Sequence, residues 1–358
     1  MPQRLLIVAP NPVGDAVMAE PAIRAISRRF PAARLDLLVG HGARRLGRAL
    51  GRADRILTFT PGASARARLS RLALLGALIA RRAELCVLFV NGRAAARLVA
   101  LAGVPRILGY ARHGRERYLS DPLDSPPDWR VAHMSEHYAR LASSAGAAID
   151  PCTAPRLRPD PADLERARAL LGEFAASRRF IVLAPGTAAG TARLWPYGHY
   201  TALARLLIGN GLGVVLIGAA TERGLGAAIA AGAGANGLID LCGRTDLGTM
   251  MGVMALSAGF VGNDSGAAHV AAALGRPGVC LFGPSSIGHS APRAAQMRPL
   301  RQSLDCAPCF ELDCPLGHRA CLVGITPTLV ARELDLAIDR HSSQLGSEPD
   351  TFTDRTGV

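Results

Sequence analysis

The sequence contains no lysine and few aromatic residues, and each shortage excludes a class of function. A phosphate-binding loop of the Walker type needs a lysine, so the chain is not a P-loop nucleotidase. Aromatic residues make up 4% of the chain and do not alternate with the arginines, as stacking on single-stranded nucleic acid would require. We therefore expect no nucleic-acid partner.

Long apolar segments are also missing. The longest apolar run of helical character, LALLGALIA at 72–80, is far shorter than the roughly 20 residues that cross a bilayer. Arginines flank this run, so it could lie on an anionic membrane surface, although an amphipathic helix packed on a sheet is the favoured interpretation. Residues 1–20 lack the apolar core of a signal peptide, which predicts a cytoplasmic protein.

Positive charge is abundant, and arginine alone carries it. The formal net charge of +13 favours anionic partners such as acidic lipid or a phosphorylated saccharide. The 358 residues exceed what a single hydrophobic core usually supports, so the length predicts two domains.

Short apolar runs alternate with helical segments in both halves of the chain. They are 4–9, 34–39, 55–59 and 85–90 in the first half, and 180–186, 213–218, 238–243, 258–264 and 278–284 in the second. Such runs are typical of strands buried on both faces of a parallel sheet. We predict an α/β fold with two Rossmann-like, doubly wound domains, 1–158 and 159–340, separated by a proline-rich linker. We expect a C-terminal helix near 326–338 to pack across the region between the two domains. Residues 341–358 lose periodicity and are expected to form a disordered tail.

Polar residues follow three of the predicted strands. Asp15 follows the first strand in APNPVGDA, where it could cap a helix or act as a general base. Thr187, Ala188 and Arg193 follow another strand, where backbone N–H groups and a guanidinium could meet a phosphate, or the loop could simply be solvated.

The stretch NDSGAAH is the third of these strand ends. It places Ser265 and Gly266 at a helix N-terminus that would attract an anion, with His269 within reach. Asp264 would repel a diphosphate and is better assigned to sugar hydroxyls. The simpler alternative is that Asp264 or Ser265 caps the helix and His269 is half-buried.

Together the three strand ends favour a nucleotide-sugar enzyme over a dinucleotide oxidoreductase. The glycine fingerprint of dinucleotide-binding folds is absent, because PNPVGD offers a single glycine. Two similar domains would place a shared ligand between the carboxyl ends of their strands.

Four cysteines are crowded into the segment CAPCFELDCPLGHRAC, as Cys306, Cys309, Cys314 and Cys321. In a cytoplasmic chain a compact cysteine set indicates a structural metal such as zinc more than disulfides. Short spacing within one loop does not by itself bring four sulfur atoms to one point. The segment predicts at most a structural site, and no open catalytic metal centre.

Four segments in order resemble the glycosyltransferase family 9 heptosyltransferases. They are VAPNPVGDAVMAEPAIRAI, APGTAAGTARLWP, VGNDSGAAHVAAALGRPGVCLFGPSS and CAPCFELDCPLGHRAC, and the similarity extends from about Arg4 to Ile338. The resemblance implies a GT-B architecture with the active site between the two domains. It also implies transfer of L-glycero-D-manno-heptose from ADP-heptose to the heptose of the lipopolysaccharide inner core, with inversion and without a required metal.

The resemblance also assigns roles to individual residues. Asp15 matches the catalytic base of the family, and Asp264 matches a position near the heptose. Positions that hold the donor diphosphate are matched by Thr187, with Ala188 beside it, and by Ser265, Gly266 and His269. Arg193 stands where the family usually has lysine, so the charge is kept and the reach differs. Glu222 in GAATERG resembles an acidic residue that binds the ribose.

Alternatives remain at the level of the sequence. Another family member could share the donor pocket and use a different acceptor or sugar, as heptosyltransferases I and III would. A non-catalytic protein that binds nucleotide sugar or lipopolysaccharide could use the same fold. The expected partners are ADP-heptose and an anionic lipid A-core acceptor, with the protein peripheral on the cytoplasmic face of the inner membrane.

Overall fold

The computed structural model describes residues 1–60, 64–127, 129–188, 190–234 and 236–347. Within these residues the chain forms two six-stranded parallel sheets. The first sheet contains β1 (Arg4–Val8), β2 (Arg34–Gly40), β3 (Arg55–Phe59), β4 (Leu85–Leu88), β5 (Arg106–Tyr110) and β6 (Asp121–Leu123). The second contains β7 (Phe180–Ala184), β8 (Gly213–Leu216), β9 (Leu238–Asp240), β10 (Gly259–Asn263), β11 (Gly278–Phe282) and β12 (Met297–Arg301).

The helices follow the strands in alternation. Those of the first half are α1 (Val13–Arg29), α2 (Arg44–Ala49), α3 (Ala65–Arg81), α4 (Arg93–Leu101) and α5 (Met134–Ser144). Those of the second half are α6 (Pro161–Leu171), α7 (Glu173–Ser177), α8 (Tyr197–Gly209), α9 (Arg223–Ala233), α10 (Leu247–Leu256), α11 (Gly266–Ala273), α12 (Ile287–Ser290), α13 (Ala320–Val323) and α14 (Pro327–Ser347).

Both sheets have the same strand order. The first runs β3-β2-β1-β4-β5-β6 and the second β9-β8-β7-β10-β11-β12, which is the doubly wound arrangement with its switch point beside the first strand. The central strands β4, β7, β8, β10 and β11 are buried along their whole length, as their apolar runs require. The two predicted sheets are therefore confirmed.

The two halves meet through α1 and α11, which pack against each other at their N-termini. A Cβ atom on Gly14 would lie 2.9 Å from Cδ2 of His269, and one on Gly266 would lie 2.9 Å from Cβ of Val13. Only glycine at both positions allows this approach. One hydrophobic core continues through the contact, with Val17 on one side and Val270 on the other.

The last helix differs from expectation in two ways. A helix near 326–338 was expected to pack across the region between the domains, but α14 packs on the second sheet, where Val330 and Leu334 are buried. These apolar residues face a sheet surface that would otherwise be exposed. The helix also continues to Ser347, so residues 341–347 are helical instead of part of a disordered tail, and 348–358 lie outside the described residues. No helix of the described residues is both long and apolar enough to cross a membrane.

Candidate active site

Residues from both halves line a cleft of about 390 Å³ at the contact between α1 and α11. The predicted site residues in its lining are Asp15, Thr187, Ala188, Arg193, Asp264, Ser265, Gly266 and His269. The strands β1, β7 and β10 each end beside it, because the carboxyl ends of parallel strands lie on one edge of a sheet. The structure therefore brings together three sequence segments that are far apart along the chain.

Asp15 lies in the first turn of α1, whose N-cap residue is Pro12. Burial raises the pKa of the Asp15 carboxyl; the neighbouring charge of His289 lowers it, that of Asp264 raises it and that of Arg193 lowers it. A carboxylate with a raised pKa is a stronger base than an ordinary one. Its position in the cleft, beyond the cap, fits general-base chemistry better than a capping role.

Arg193 and Asp264 form an ion pair inside the cleft. The Arg193 Nη1 donates to Oδ2 of Asp264 over 3.1 Å, and the Asp264 side chain is only 4% exposed. The hydroxyl of Ser290 lies 3.5 Å from the same carboxylate oxygen. A guanidinium carries five N–H donors, so this pairing through one nitrogen orients Arg193 and leaves donors for an anion.

The N-terminus of α11 carries a buried hydroxyl that is not used for capping. Ser265 is the N-cap residue, yet its side chain makes no capping hydrogen bond. Its Oγ is buried and has no hydrogen-bond partner within the described part of the chain. The capping alternative for Ser265 is therefore wrong, and an unpaired hydroxyl beside the first N–H groups of a helix is the arrangement that binds phosphate oxygens.

His269 lies one turn into α11 and is fully enclosed. Burial lowers the pKa of His269, while Asp264 and the Ser290 backbone favour its protonated form. Its ring packs against Gly14 at the domain contact. The residue is thus more buried than the half-buried alternative expected, and it connects α11 to the turn that holds Asp15.

The loop after β7 is positioned by residues that sequence reasoning missed. The amide of Asn263 donates from Nδ2 to the Pro185 carbonyl over 2.8 Å, and its Oδ1 accepts from the Trp195 backbone N–H over 3.1 Å. Asn263 is fully buried. It therefore ties both ends of the loop that carries Thr187 and Arg193 to the end of β10. Its place directly before Asp264 was the available signal.

Glu222 does not line this cleft. Its Oε2 accepts from the backbone N–H of Ala219 over 2.6 Å, and its carboxylate occupies the space that a Cβ on Gly186 would need. The carboxylate therefore lies beside the end of β7, next to the loop of Thr187. A role with the ribose stays a prediction.

The four clustered cysteines are free thiols. No three His, Cys, Asp or Glu side chains come close enough to hold a metal ion in the described ranges. Burial raises the pKa of Cys321, and the charges of Cys306, Cys314 and Cys309 raise it further, so the four side chains share one neighbourhood. They do not converge as metal ligands here, which departs from the structural metal site that the spacing suggested.

The cysteine segment instead supports the loop of Arg193. The backbone N–H of Ala192 donates to the Leu312 carbonyl over 2.9 Å, and the Thr191 hydroxyl donates to Asp313 over 2.6 Å. Gly190 has a φ of +76° and lies so close to the Leu312 carbonyl that a side chain there would overlap it. The cysteine segment thereby fixes the turn that directs Arg193 into the cleft.

A second contact joins the two halves next to Ser290, which lines the cleft. Nε2 of His133 lies 2.9 Å from the Ala291 carbonyl, and Arg293 donates to Nδ1 of His133 over 3.1 Å and to Glu136 over 3.2 Å. Burial lowers the pKa of His133 to about 4. The ring is therefore neutral at pH 7, with its proton on Nε2 and its Nδ1 free to accept. We call the contacts of His133, Glu136 and Arg293 the interdomain clasp.

Comparisons with known proteins agree with this architecture. The sequence model of glycosyltransferase family 9 (heptosyltransferase) matches residues 71–320. Lipopolysaccharide heptosyltransferase 2 of Salmonella typhimurium is 30% identical over 340 residues, which cover 92% of this chain and 97% of that protein. The corresponding protein of Escherichia coli is 30% identical over 342 residues, covering 93% and 97%.

Solved structures give the same result for the fold. The structure of E. coli ADP-heptose lps heptosyltransferase II matches with a TM-score of 0.82 at 26% identity, covering 95% of this chain and 99% of that chain. A family 9 glycosyl transferase from Veillonella parvula has the same fold, with a TM-score of 0.81 at 15% identity over 94% and 97%. The predicted GT-B fold is confirmed, and the chain belongs to glycosyltransferase family 9.

Proposed function

We propose that this glycosyltransferase is an ADP-heptose:lipopolysaccharide heptosyltransferase II. It transfers L-glycero-D-manno-heptose from ADP-heptose to the heptose of the lipopolysaccharide inner core, with inversion at the anomeric carbon. The observation that carries the proposal is the opposition, across one cleft, of the partly buried carboxylate of Asp15 from the first half and the N-terminus of α11 with Arg193 from the second. The two relatives at 30% identity over nearly the whole chain support this choice of donor and acceptor.

The donor diphosphate would lie at the N-terminus of α11. The Ser265 hydroxyl and the first backbone N–H groups of the helix supply neutral donors, and the helix dipole adds partial positive charge. Arg193 supplies a full positive charge, and Asp264 holds its guanidinium in place. The same carboxylate can accept from heptose hydroxyls once the donor is bound.

Transfer is then a single displacement. Asp15 accepts the proton of the acceptor hydroxyl as its oxygen attacks the anomeric carbon from the face opposite the leaving group. The bond between the anomeric carbon and the phosphate oxygen breaks, and its electron pair leaves with ADP. Arg193 and the α11 N-terminus stabilise the negative charge that develops on the diphosphate.

The proposal includes work at a membrane surface, because the acceptor is anchored in lipid and the donor is a soluble nucleotide sugar. Replacement of Asp15 by Asn tests the chemical role. We expect Asp15→Asn to lower turnover by about 10²–10⁴-fold while ADP affinity, measured by calorimetry, stays within a few-fold. Retained turnover would make Asp15 a structural residue of α1. Loss of both ADP binding and turnover would indicate a collapsed cleft. Circular dichroism of the variant shows whether it is folded.

A further inference from the structure

Helix α3 presents apolar side chains on both of its faces. Leu74 and Leu78 are buried against the first sheet. On the opposite side Leu69, Leu72 and Ile79 are 67%, 65% and 50% exposed. The segment 72–80 between the flanking arginines contains no polar residue. An exposed apolar surface of this kind marks an interaction site, so the outer side of α3 is a candidate for contact with a partner.

The charges around this surface are of one sign. Residues 64–83 and 92–105 contain no aspartate or glutamate, and every charged residue in them is arginine. Arg68, Arg82, Arg93 and Arg97 are exposed. Leu101 at the end of α4 is also exposed and adds to the apolar area. The surface is thus apolar at its centre and basic around it, which is complementary to an anionic, partly apolar partner.

The position of α3 relates this surface to the active-site cleft. Helices α1 and α3 lie on opposite faces of the first sheet. Successive residues of β1 show this, because Ile7 packs in the core that includes α1, and Leu6 packs in the core that includes α3 and α4. Helices that follow parallel strands all begin at the carboxyl edge of the sheet. The N-termini of α1, α3 and α4 therefore share the edge at which Asp15 lies.

We propose that the outer side of α3, formed by Leu69, Leu72 and Ile79 with the surrounding arginines, docks on an anionic phospholipid bilayer. The apolar side chains enter the boundary between headgroups and acyl chains, and the arginines pair with lipid phosphates. The choice of a bilayer over another protein rests on the charge pattern and on the lipid-linked acceptor of the proposed function. Docking on this side would hold the first half of the chain, which carries Asp15, at the membrane surface where the lipid-linked acceptor lies.

Vesicle co-sedimentation of the full chain tests this surface without donor or acceptor. The test variant carries Leu69→Gln, Leu72→Gln and Ile79→Gln. The matched control carries Leu170→Gln, Leu206→Gln and Leu336→Gln, which replace exposed leucines on α6, α8 and α14. A charge variant carries Arg68→Gln and Arg97→Gln.

We expect the wild-type protein to partition at least tenfold more strongly onto phosphatidylcholine vesicles containing a quarter phosphatidylglycerol than onto pure phosphatidylcholine. The α3 variant should lose about tenfold in binding to the anionic vesicles. The charge variant should lose several-fold and become less sensitive to salt, and the control should bind as the wild type does. Equal binding of the α3 variant and the wild type would overturn the proposal, as would failure of the wild type to prefer anionic vesicles.

Light scattering after gel filtration tests whether a second copy of the chain covers the outer side of α3 instead. A wild-type dimer that becomes monomeric in the α3 variant would show that a second copy covers α3 and would overturn bilayer docking. Transfer to an acceptor dissolved in detergent separates this inference from the proposed function. The α3 variant should keep wild-type turnover there, whereas absence of turnover in the wild type would refute the function and leave the vesicle result standing.

Discussion

Removal of the Arg193 side chain perturbs stability, leaving-group chemistry and the basicity of Asp15 together. Arg193→Ala breaks the 3.1 Å ion pair with Asp264, whose side chain is 4% exposed. Loss of one member of a fully buried pair costs about 3–5 kcal/mol. Since the Arg193 side chain is 29% exposed, solvent screens part of this penalty. We expect the free energy of unfolding to fall by roughly 1–2 kcal/mol.

The effect on turnover should be larger than the effect on stability. In the proposed mechanism Arg193 stabilises the departing diphosphate, and loss of one such donor lowers kcat by about 10²–10³-fold. Arg193→Lys keeps the positive charge on a side chain of different reach, so its kcat should fall less than that of Arg193→Ala. The assay is ADP release under steady-state conditions, with urea unfolding of the same preparations.

A double variant separates the two effects. Adding Asp264→Asn to Arg193→Ala removes the unpaired buried charge, so stability should return toward the wild-type value while turnover stays low. The Arg193 charge also lowers the pKa of the Asp15 carboxyl. In Arg193→Ala the acid limb of the kcat/KM profile should therefore move to higher pH. A kcat within threefold of the wild type in Arg193→Ala would refute the assigned role.

Two further predictions concern the contact between the halves. Gly14→Ala should lower both stability and turnover, because its Cβ would lie 2.9 Å from Cδ2 of His269. The control Gly76→Ala has open space around it and should lower neither. Thermal unfolding measures stability and ADP release measures turnover, and equal behaviour of the two variants would contradict the close packing. The interdomain clasp should make stability depend on pH, because the pKa of His133 is about 4 in the folded chain against an ordinary 6.5. A depressed histidine pKa favours the neutral form in the folded state, so its contribution is complete above pH 6.5 and falls by up to about 3 kcal/mol as the pH drops to 4. Urea unfolding at several pH values should show this slope in the wild type and a shallower one in His133→Gln, and identical slopes would count against the clasp.

The sequence predicted β1 to β4 and β7 to β11, and missed the strands on one side of each sheet. Runs such as FIVLA in β7 and GVCLF in β11 are buried on both faces, so their composition is diagnostic. The strands β5, β6 and β12 were not predicted. β6 is three residues long, and β12 reads MRPLR, with arginines and a proline that suit only an edge strand.

The candidate site shows the same division. Asp15, Arg193 and the residues from Asp264 to His269 could be named because strand-to-helix turns have local signatures. The interdomain clasp joins His133 to Arg293, and nothing local to either residue predicts a partner 160 positions away. The cysteine segment left a structural metal site open, and close spacing along the chain did not bring the side chains together as metal ligands within the described residues.

The decisive measurement for the proposed function is mass spectrometry of purified lipid A-core acceptors after incubation with the protein and ADP-L-glycero-D-manno-heptose. One acceptor carries a single heptose and the other carries none. We predict that a single heptose is added to the one-heptose acceptor and that the heptose-free acceptor is unchanged. Addition of heptose to the heptose-free acceptor would contradict the assignment of this protein as heptosyltransferase II. Addition to neither acceptor, while ADP still binds, would contradict it as well.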